Sequence, residues 1–556
     1  MSGVSTSETA APPLQPGRPA ADRPRRLRSL AARTAAGAAV GLASAAMALA
    51  VGELTAALTG AASAPAIAVG SAAIDLTPTA LKDYAIRTFG TNDKPVLLGG
   101  IYLTLAALAV LAGLLAVRRP WAGAALFVGF AGIGAWAALS RSTADPSYAL
   151  PSLAAGAVGA AVLVRLAAGL NRAALGARHE GGPEGRDEGR DESEAEPAHG
   201  PARRRVLIAT GATVAFAAGA GCGGRALSTA RSDISGARLA VRLPPAARAA
   251  APPPAAAHPN VGGLSTFTTS NADFYRVDTA LTLPRIDPGR WSLRVHGLVD
   301  RPLLISFDEL LRRPLEEMDY TLSCVSNEVG GPYLGTARWL GASLPALLRE
   351  AGVRRGADQL VGRSQDGMTI GTPLDAVLDG RQALLAVAMN GETLPVAHGF
   401  PCRSLVPGLY GYASATKWLV DLEVTSFAAY DPYWVKRGWD RTGAVRTASR
   451  IEIPAGFARV PAGTVTVAGT AWATHRGISA VEVRVDEGPW AEATLAADAG
   501  PDLWRQWTYD WTGARPGNHT LQVRATDTSG AVQPQARATP FPSGSTGWHN
   551  TVVTVI

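Results

Sequence analysis

Long apolar segments in the first 222 residues constrain this chain more than any other feature. A segment needs about 20 residues to cross a hydrocarbon layer of about 30 Å. Four segments reach that length, and the fifth is shorter, closer to the apolar core of a signal peptide. They occupy residues 35–58, 95–117, 121–140, 148–170 and 206–221. The 556-residue chain is also only 17% charged, below the roughly 25% of average soluble domains. Residues 35–222 are therefore predicted to form a transmembrane region of about five spans.

Arginine-rich loops predict the orientation of these spans. Arginines cluster at 23–28, at 118–119 and within 171–205, and all three groups lie inside if the five spans cross. The polar, basic residues 1–34 are then expected to be a disordered cytoplasmic tail. A sixth crossing by the weaker stretch 59–76 would invert the later loops, so we interpret that stretch as re-entrant or surface-bound. The pattern predicts a multi-pass cell-membrane protein with everything after residue 222 on the extracytoplasmic side.

The predicted spans offer few ligands for a redox cofactor. They contain no histidine and one methionine, Met47, whereas a membrane haem needs axial His or Met. We interpret the bundle as a lipid-embedded anchor. The run Arg203-Arg204-Arg205 before the fifth segment resembles a twin-arginine export signal. The alternative is ordinary positive flanking of a span, and the sequence leaves open whether 203–222 is cleaved.

Charge and cysteine content exclude two classes of protein. The net charge of +7 is dispersed, without a basic block that contains interleaved aromatic residues, so nucleic acid is not an expected partner. The three cysteines, Cys222, Cys324 and Cys402, cannot form a disulfide framework.

After the spans, the composition changes twice. Residues 223–260 are Ala/Pro-rich and are expected to form a loosely ordered linker. Within 261–454, residues 291–299 alternate like a strand. Residues 306–313 predict a short helix with a capping box, and 343–352 predict another helix that ends at a glycine. This mixture predicts an α+β domain.

Residues 455–556 have an all-β pattern. Short alternating stretches are separated by turn signals, which is typical of a β-sandwich. The strands are predicted at 465–472, 478–485, 519–523 and 552–556. Trp504, Trp507 and Trp511 are interpreted as core and rim residues of this sandwich.

Cys324 follows the β-like run 319–323. Taken alone, it is a buried small apolar residue, a nucleophile or a soft metal ligand. No CxxC or HxxxH motif lies near it, so a metal here would take most of its ligands from a cofactor. The residues themselves leave the three interpretations open.

Neighbouring motifs resemble a known family. They are DYTLSCVSN at 319–327, GTARWLG at 335–341, HGFPCR at 398–403 and the Lys417-Trp418 pair. In this order, they resemble the sulfite oxidase family of molybdopterin-dependent oxidoreductases over about residues 265–455. The resemblance implies an α+β molybdopterin domain, followed by an immunoglobulin-like dimerisation domain and therefore a homodimer.

The resemblance also implies a cofactor, molybdenum bound to a single pyranopterin (molybdopterin). Cys324 matches the family's metal-binding cysteine, the metal's only protein ligand. Further cofactor contacts are implied at Asn271, Tyr275, Arg276, Asn327, His398, Arg403 and Lys417. The implied reaction is a two-electron oxygen-atom transfer on a small molecule. Since the chain lacks a Cys-x-x-Cys-His haem motif, a separate electron-transfer partner is expected.

The sequence departs from the family where the substrate would bind. Glu328-Val329 stand where sulfite oxidases carry arginines, and Trp439 stands about where the family has an active-site tyrosine. Trp439 and the nearby Arg437 are our candidates for catalytic residues. Because a sulfite dianion needs positive charge, we expect a weakly charged substrate such as a sulfoxide.

Three alternatives stay open at this point. The first is sulfite oxidation that uses Arg276, Arg437 and Arg476 instead. The second, from another class, is a cofactor-free surface binding protein on the same fold. A transporter with an external sensing domain is disfavoured because the spans lack paired charges.

Overall fold

A computed structural model describes residues 22–78, 81, 84, 88–89, 92–141, 144–179 and 201–556. Residues 1–21, most of the predicted disordered tail, lie outside this described part. The first helix begins at Asp22, so the end of that predicted tail is helical. The chain divides into two compact units, one mostly before residue 229 and one mostly after it.

The described part of the first unit consists of helices. They are α1 (Asp22–Thr59), α2 (Pro65–Leu76), α3 (Asp93–Arg118), α4 (Pro120–Leu139), α5 (Leu150–His179) and α6 (Pro201–Arg231). Stretches in five helical regions are long and apolar enough to cross a membrane: Ala31–Thr59, Lys94–Arg118, Pro120–Leu139, Pro146–Ala173 and Arg204–Ala240. These cover the five predicted segments to within one residue, and the last is much longer than expected. The doubtful stretch 59–76 contains a 3-10 turn (Ala61–Ser63) and the short helix α2.

Small residues let the helices of this unit approach closely. A Cβ atom on Gly41 would overlap the carbonyl oxygen of Ala109, and one on Gly113 would overlap that of Gly37. Helices α1 and α3 therefore pack backbone against backbone, which substitution of either glycine by a larger residue would disrupt.

Two sheets form the mixed domain of the second unit. The first has the order β2-β1-β10-β5-β6 and the second β3-β4-β7-β8, with β9 paired to β7. The strands are β1 (Ser292–Gly297), β2 (Leu303–Ser306), β3 (Leu315–Ser323), β4 (Leu334–Ser343), β5 (Gln359–Ser364), β6 (Thr369–Pro373), β7 (Leu384–Met389), β8 (Glu392–Thr393), β9 (Arg403–Leu405) and β10 (Leu419–Thr425). In the first sheet, β1 and β10 are parallel and the other neighbouring strands are antiparallel, so this first sheet is of the mixed type. The predicted mixture of helix and sheet is confirmed.

One short helix, α7 (Ser235–Ala240), precedes the first strand, and four others lie between strands. The four are α8 (Phe307–Leu311), α9 (Leu344–Ala351), α10 (Leu374–Leu378) and α11 (Gly411–Ser414). The predicted capping box is confirmed, because Ser306 and Glu309 exchange hydrogen bonds at the start of α8. Helix α9 ends at Gly352 in the left-handed conformation, as the sequence predicts.

The Ala/Pro-rich segment before this domain differs from the loose spacer that we expected. Beyond α6 and α7, its backbone pairs with β3: the Ala247 N–H donates to the Leu315 carbonyl oxygen (2.7 Å), and the Glu317 N–H donates to that of Arg248 (2.8 Å). Ala257 is buried. The amino-acid composition did not predict that this segment is ordered, because its contacts are made by backbone atoms.

The last hundred residues form two further sheets around a shared core. Their orders are β11-β13-β17-β16 and β12-β19-β18-β14-β15. The strands are β11 (Ala448–Ile453), β12 (Arg459–Val460), β13 (Gly463–Trp472), β14 (Ile478–Val485), β15 (Ala491–Glu492), β16 (Thr494–Leu495), β17 (Arg505–Ala514), β18 (Gly517–Asp527) and β19 (His549–Val555). Val467, Val481, Trp507 and Val523 are fully buried in this core. The arrangement is a β-sandwich, and its likeness to an immunoglobulin domain stays a prediction.

The three tryptophans predicted in the sandwich separate into two groups. Trp507 and Trp511 belong to its core. Trp504 instead packs with residues of the mixed domain, and its indole N–H donates to the Phe267 carbonyl oxygen (3.1 Å). Trp504 therefore helps to join the sandwich to the mixed domain.

Candidate cofactor site

Cys324 stands at the start of the loop that joins β3 to β4. Its backbone N–H donates to the Tyr333 carbonyl oxygen (2.9 Å), which continues the pairing of the two strands into the loop. The thiol is buried, and the Ser326 N–H points at Sγ from 3.4 Å. Burial raises the pKa of the Cys324 thiol. Formation of the thiolate therefore requires a compensating cation such as a metal.

A pocket opens beside this thiol. It encloses about 120 Å³ and brings Cys324 together with His398, Arg403 and Lys417, which lie 74 to 93 positions later in the chain. Its other lining residues are Phe274, Tyr275, Val277, Asp278, Thr279, Leu322, Val325, Ser326, Ser364, Asp366, Met368, Ile370, Gly411, Tyr412, Ala415, Trp418, Trp434 and Trp439. Five residues that the sequence selected for a cofactor, these four and Tyr275, thus share one cavity.

Arg403 begins β9 and is buried. Its Nη1 donates to the His398 carbonyl oxygen (3.1 Å), and its guanidinium lies over the Trp339 ring, 5.1 Å from the centroid. Its Nε has no hydrogen-bond partner among the described residues. Burial lowers the pKa of Arg403 to about 10. A buried cation with a free donor favours an anionic ligand such as a phosphate.

His398 ends a short 3-10 turn in the HGFPCR motif. Burial lowers its pKa to about 4, so the ring is neutral at physiological pH. Its Nε2 lies 3.1 Å from the Asn271 carbonyl oxygen, which only an Nε2–H can satisfy, so Nδ1 is left as an acceptor. Gly399 has φ of +114°, and a Cβ there would press on Lys417 from 3.1 Å, so the glycine lets the turn pack tightly.

Lys417 is a buried lysine in the same pocket. Its Nζ donates to Asp278 Oδ2 (2.8 Å) and lies 4.6 Å from the centroid of the Trp418 ring. Burial lowers the pKa of Lys417 to about 8, although Asp278 opposes the shift. The pocket thus holds a second buried cation whose charge is only partly compensated.

The remaining predicted cofactor contacts fall into two groups. Tyr275 lines the pocket, and burial raises its pKa well above its usual value. Asn271, Arg276 and Asn327 do not line the pocket. Asn271 and Arg276 bond to residues that line it, and Asn327 bonds within the loop that begins at Cys324. Asn271 accepts from His398, Arg276 pairs with Asp278 (2.7 Å), and Asn327 Oδ1 accepts from the Tyr333 N–H (2.8 Å).

Aromatic side chains form the other side of the pocket. Trp439 lies between Tyr412 (ring centroids 5.7 Å apart) and Trp434 (6.1 Å). Its buried Nε1 has no hydrogen-bond partner among the described residues. The Tyr412 hydroxyl, in contrast, donates to the Asp440 carbonyl oxygen (2.7 Å). The Trp439 indole is therefore a buried donor without a partner among the described residues of this wall.

Several residues that the sequence proposed for the substrate lie elsewhere. Arg437 is outside the pocket lining: its guanidinium covers the Tyr433 ring at 3.5 Å and donates to the Asp75 carbonyl oxygen. Arg476 pairs with Asp527 (2.9 Å), and Glu328 is exposed. The structure therefore places our candidate Arg437 outside the pocket lining. It also places outside the lining Arg476, which was named only for the sulfite alternative, and Glu328, which was expected to affect the charge of the substrate site.

The sequence did not indicate the two acidic residues of the lining. Asp278 neutralises part of the Lys417 charge, and Asp366 contributes a carboxylate that accepts from the Met368 N–H (3.2 Å). Neither belongs to one of the motifs quoted above. Trp434, five residues before Trp439, was not predicted to line the pocket either.

The donor set fits a molybdopterin cofactor. The pocket supplies one soft thiol, two buried cations and an unsatisfied guanidinium N–H, which match a thiophilic metal and an anionic phosphate. Among the described residues, no group of three His, Cys, Asp or Glu side chains could hold a metal. A metal at Cys324 would thus bring its other ligands with it.

Comparison with known proteins identifies the family. Residues 280–434 match the family model described as an oxidoreductase molybdopterin binding domain. Sulfite oxidase from Gallus gallus is 31% identical over 334 residues, which cover 51% of this chain and 72% of that protein. The chain belongs to the sulfite oxidase family. The family of molybdopterin-dependent oxidoreductases that the motifs predicted is thereby confirmed.

Two further relatives also match this chain. The uncharacterised oxidoreductase YuiH of Bacillus subtilis (strain 168) is 35% identical over 157 residues, which cover 28% of this chain and 76% of that protein. The mitochondrial sulfite oxidase of Mus musculus is 31% identical over 343 residues, or 52% of this chain. The chain spans 62% of the length of that enzyme.

Proposed function

We propose that this member of the sulfite oxidase family is a membrane-anchored, extracytoplasmic molybdenum–molybdopterin oxidoreductase. It transfers an oxygen atom, with two electrons, to or from a small, weakly charged substrate such as a sulfoxide. The observation that carries the proposal is the buried Arg403, whose Nε lacks a partner among the described residues, in the same pocket as the Cys324 thiol.

In this proposal, Cys324 binds the metal through its thiolate, and the neighbouring Ser326 N–H stabilises the negative sulfur. Arg403 and Lys417 bind the anionic part of the cofactor, and the neutral His398 offers Nδ1 as an acceptor. Tyr275 packs in the same pocket. Arg276 and Asn271 orient Lys417 and His398 through Asp278 and a backbone carbonyl. When bound, the cofactor supplies the oxygen-atom transfer and the electron storage.

The aromatic side of the pocket supports a weakly charged substrate. Among the described lining residues, the arginines and lysines are Arg403 and Lys417, which are the two cations assigned to the cofactor. Tyr412, Trp434 and Trp439 offer apolar surface, and Trp439 Nε1 is free to donate to one neutral oxygen atom. Reduction of a sulfoxide here would consume two electrons and two protons and release a thioether and water.

Sulfite oxidation is the less favoured alternative. It needs positive charge for a dianion, and the arginines available for that role were Arg276, Arg437 and Arg476. None of the three lines the pocket. Arg276 pairs with Asp278, Arg437 lies over Tyr433, and Arg476 pairs with Asp527. A cofactor-free binding protein is also disfavoured, because it would keep two buried cations without a use.

The wider arrangement is part of the proposal. Residues 35–222 anchor the chain in the lipid bilayer, 223–260 connect it to a catalytic domain at 261–454, and the domain at 455–556 mediates a homodimer. A separate protein exchanges electrons with the cofactor. An epitope tag placed after Ile556 should be detected by antibody on intact spheroplasts, whereas detection only after permeabilisation would reverse the orientation.

Metal content tests the proposed chemistry. The full chain, produced in cells with an intact molybdopterin pathway, should contain about one molybdenum and one pterin per chain. With a reduced viologen dye, it should reduce dialkyl sulfoxides faster than it oxidises sulfite with ferricyanide. Well-folded protein without molybdenum or pterin would support the binding-protein alternative, and faster sulfite turnover would support sulfite oxidation.

A further inference from the structure

The cysteine loop, residues 324–333, closes partly on itself. The Cys324 N–H donates to the Tyr333 carbonyl oxygen (2.9 Å), and Asn327 Oδ1 accepts from the Tyr333 N–H (2.8 Å). These bonds fix the ends and one side of the loop. They leave the carbonyl groups of Asn327 and Gly331 for partners outside it.

Both carbonyl oxygens are bound by side chains that follow the mixed domain. Ser545 Oγ donates to the Asn327 carbonyl oxygen (2.6 Å). Arg450 Nη1 donates to the Gly331 carbonyl oxygen (2.9 Å). The β-sandwich region therefore contacts the loop at two points on its backbone.

His549 makes the third contact. A Cβ on Gly330 would overlap the imidazole of His549, and the φ of +80° at Gly330 suits only glycine well. His549 Nδ1 accepts from the Ile451 N–H (3.0 Å). Burial lowers the pKa of His549 to about 4, so the ring stays neutral and keeps this acceptor. The ring is thereby a fixed wall for the loop.

Arg450 is itself held rigidly. Its Nε donates to Glu452 Oε1 (2.9 Å), and both side chains are largely buried. Glu452 also accepts from the Ser265 N–H (2.9 Å) and from Thr470 Oγ1 (2.9 Å). Burial alone would raise the pKa of Glu452, but Arg450 and Ser265 hold it below its usual value. A guanidinium braced in this way can position the atom it binds.

We propose that Arg450, Ser545 and His549 are positioning residues that set the direction of the Cys324 thiol through the backbone of the cysteine loop. The sandwich thus acts on the site without placing a side chain in the pocket. This inference rests on the proposed function, in which Cys324 binds the metal. It predicts that changes in the sandwich alter the metal centre at a distance.

The test uses the full chain purified with its cofactor. Ser545→Ala and Arg450→Lys weaken single contacts with little change of volume, and Arg450→Gln removes the charge. Arg524→Gln is the control, because Arg524 pairs with Glu482 (2.7 Å) and makes no hydrogen bond to the loop within the described part of the chain. Hydrogen–deuterium exchange of peptides that cover 324–333 reports loop order, and the electron paramagnetic resonance of Mo(V) reports the geometry at the metal.

Loss of one hydrogen bond should speed exchange of the loop amides by about fivefold. The Mo(V) spectrum should change in the same variants and not in Arg524→Gln. The inference is overturned if Ser545→Ala and Arg450→Lys bind molybdenum and match the wild type in exchange and spectrum. Absence of molybdenum from the wild type would instead refute the proposed function, and the exchange data would still decide whether the sandwich orders the loop.

Discussion

The two sides of the pocket are built on opposite principles. The side with Arg403, Lys417 and His398 buries polar and charged groups, one of which lacks a partner among the described residues. The side with Tyr412, Trp434 and Trp439 is aromatic, and the buried Trp439 Nε1 lacks a hydrogen-bond partner among the described residues. Burial of a charge costs free energy unless a ligand compensates it, whereas burial of an aromatic surface does not. The charged side is therefore the one that is incomplete without a bound group.

The two sides of the pocket also differ in how closely their residues resemble the family motifs. The charged side coincides with the HGFPCR and Lys-Trp motifs that resemble the sulfite oxidase family. The aromatic side contains the departure at Trp439, where the sequence lacks the expected tyrosine. Substitutions on the charged side should therefore affect cofactor content, and those on the aromatic side should affect substrate binding alone.

The largest effect among these variants is expected for Arg403→Gln. Loss of a buried charge-assisted contact with phosphate costs about 1.5–3 kcal/mol, or roughly a tenfold to hundredfold weaker affinity for the cofactor. Molybdenum and pterin content per chain measures it. Arg403→Lys should retain more cofactor than Arg403→Gln. Arg354→Gln, which removes an exposed ion pair with Asp300, is the control and should retain all of it.

Lys417 should give the charged side a pH dependence. Its pKa of about 8, lowered by burial, means that the side chain loses its proton as pH rises through 8 in the absence of an anion. A bound phosphate favours the charged form and moves this midpoint upward. Cofactor release should therefore accelerate above about pH 8, as measured by pterin fluorescence in the filtrate. Lys417→Arg should flatten the profile, and an unchanged profile in that variant would exclude Lys417 as its cause.

The smallest effect is expected for Trp439→Phe, which retains an aromatic ring and removes the indole N–H. Loss of one neutral hydrogen bond costs about 1 kcal/mol, so KM for a sulfoxide should rise about fivefold with molybdenum content unchanged. Trp490→Phe, on the sandwich, is the matched control. A fall in cofactor content in Trp439→Phe would show that the two sides are not separate.

The sequence predicted the elements that depend on local pattern. The capping box at Ser306, the glycine-terminated helix α9 and the alternating strands of the sandwich were predicted because their signals lie within ten residues. The motifs also selected Cys324, His398, Arg403 and Lys417, which line one pocket in the structure. The positions of Asp278, Asp366 and Trp434 could not be predicted, since they enter the pocket only through long-range packing of the chain.

The sequence also failed to predict the partners of the arginines. Arg437 and Arg476 were selected by their distance along the sequence from family motifs. In the structure, they pair with Tyr433 and Asp527, partners that no motif contains. Conversely, Arg450 was not considered, because its role depends on a contact with a backbone carbonyl 119 positions away.

The number of sulfur atoms bound to the metal tests whether Cys324 is its ligand. Molybdenum K-edge X-ray absorption of the purified full chain should show about three sulfur neighbours, two from one dithiolene and one from Cys324. In Cys324→Ser, we expect one sulfur neighbour fewer and one oxygen neighbour more. An unchanged sulfur count in that variant would contradict the assignment of Cys324 as the ligand on which both the proposed function and the inference about the cysteine loop depend.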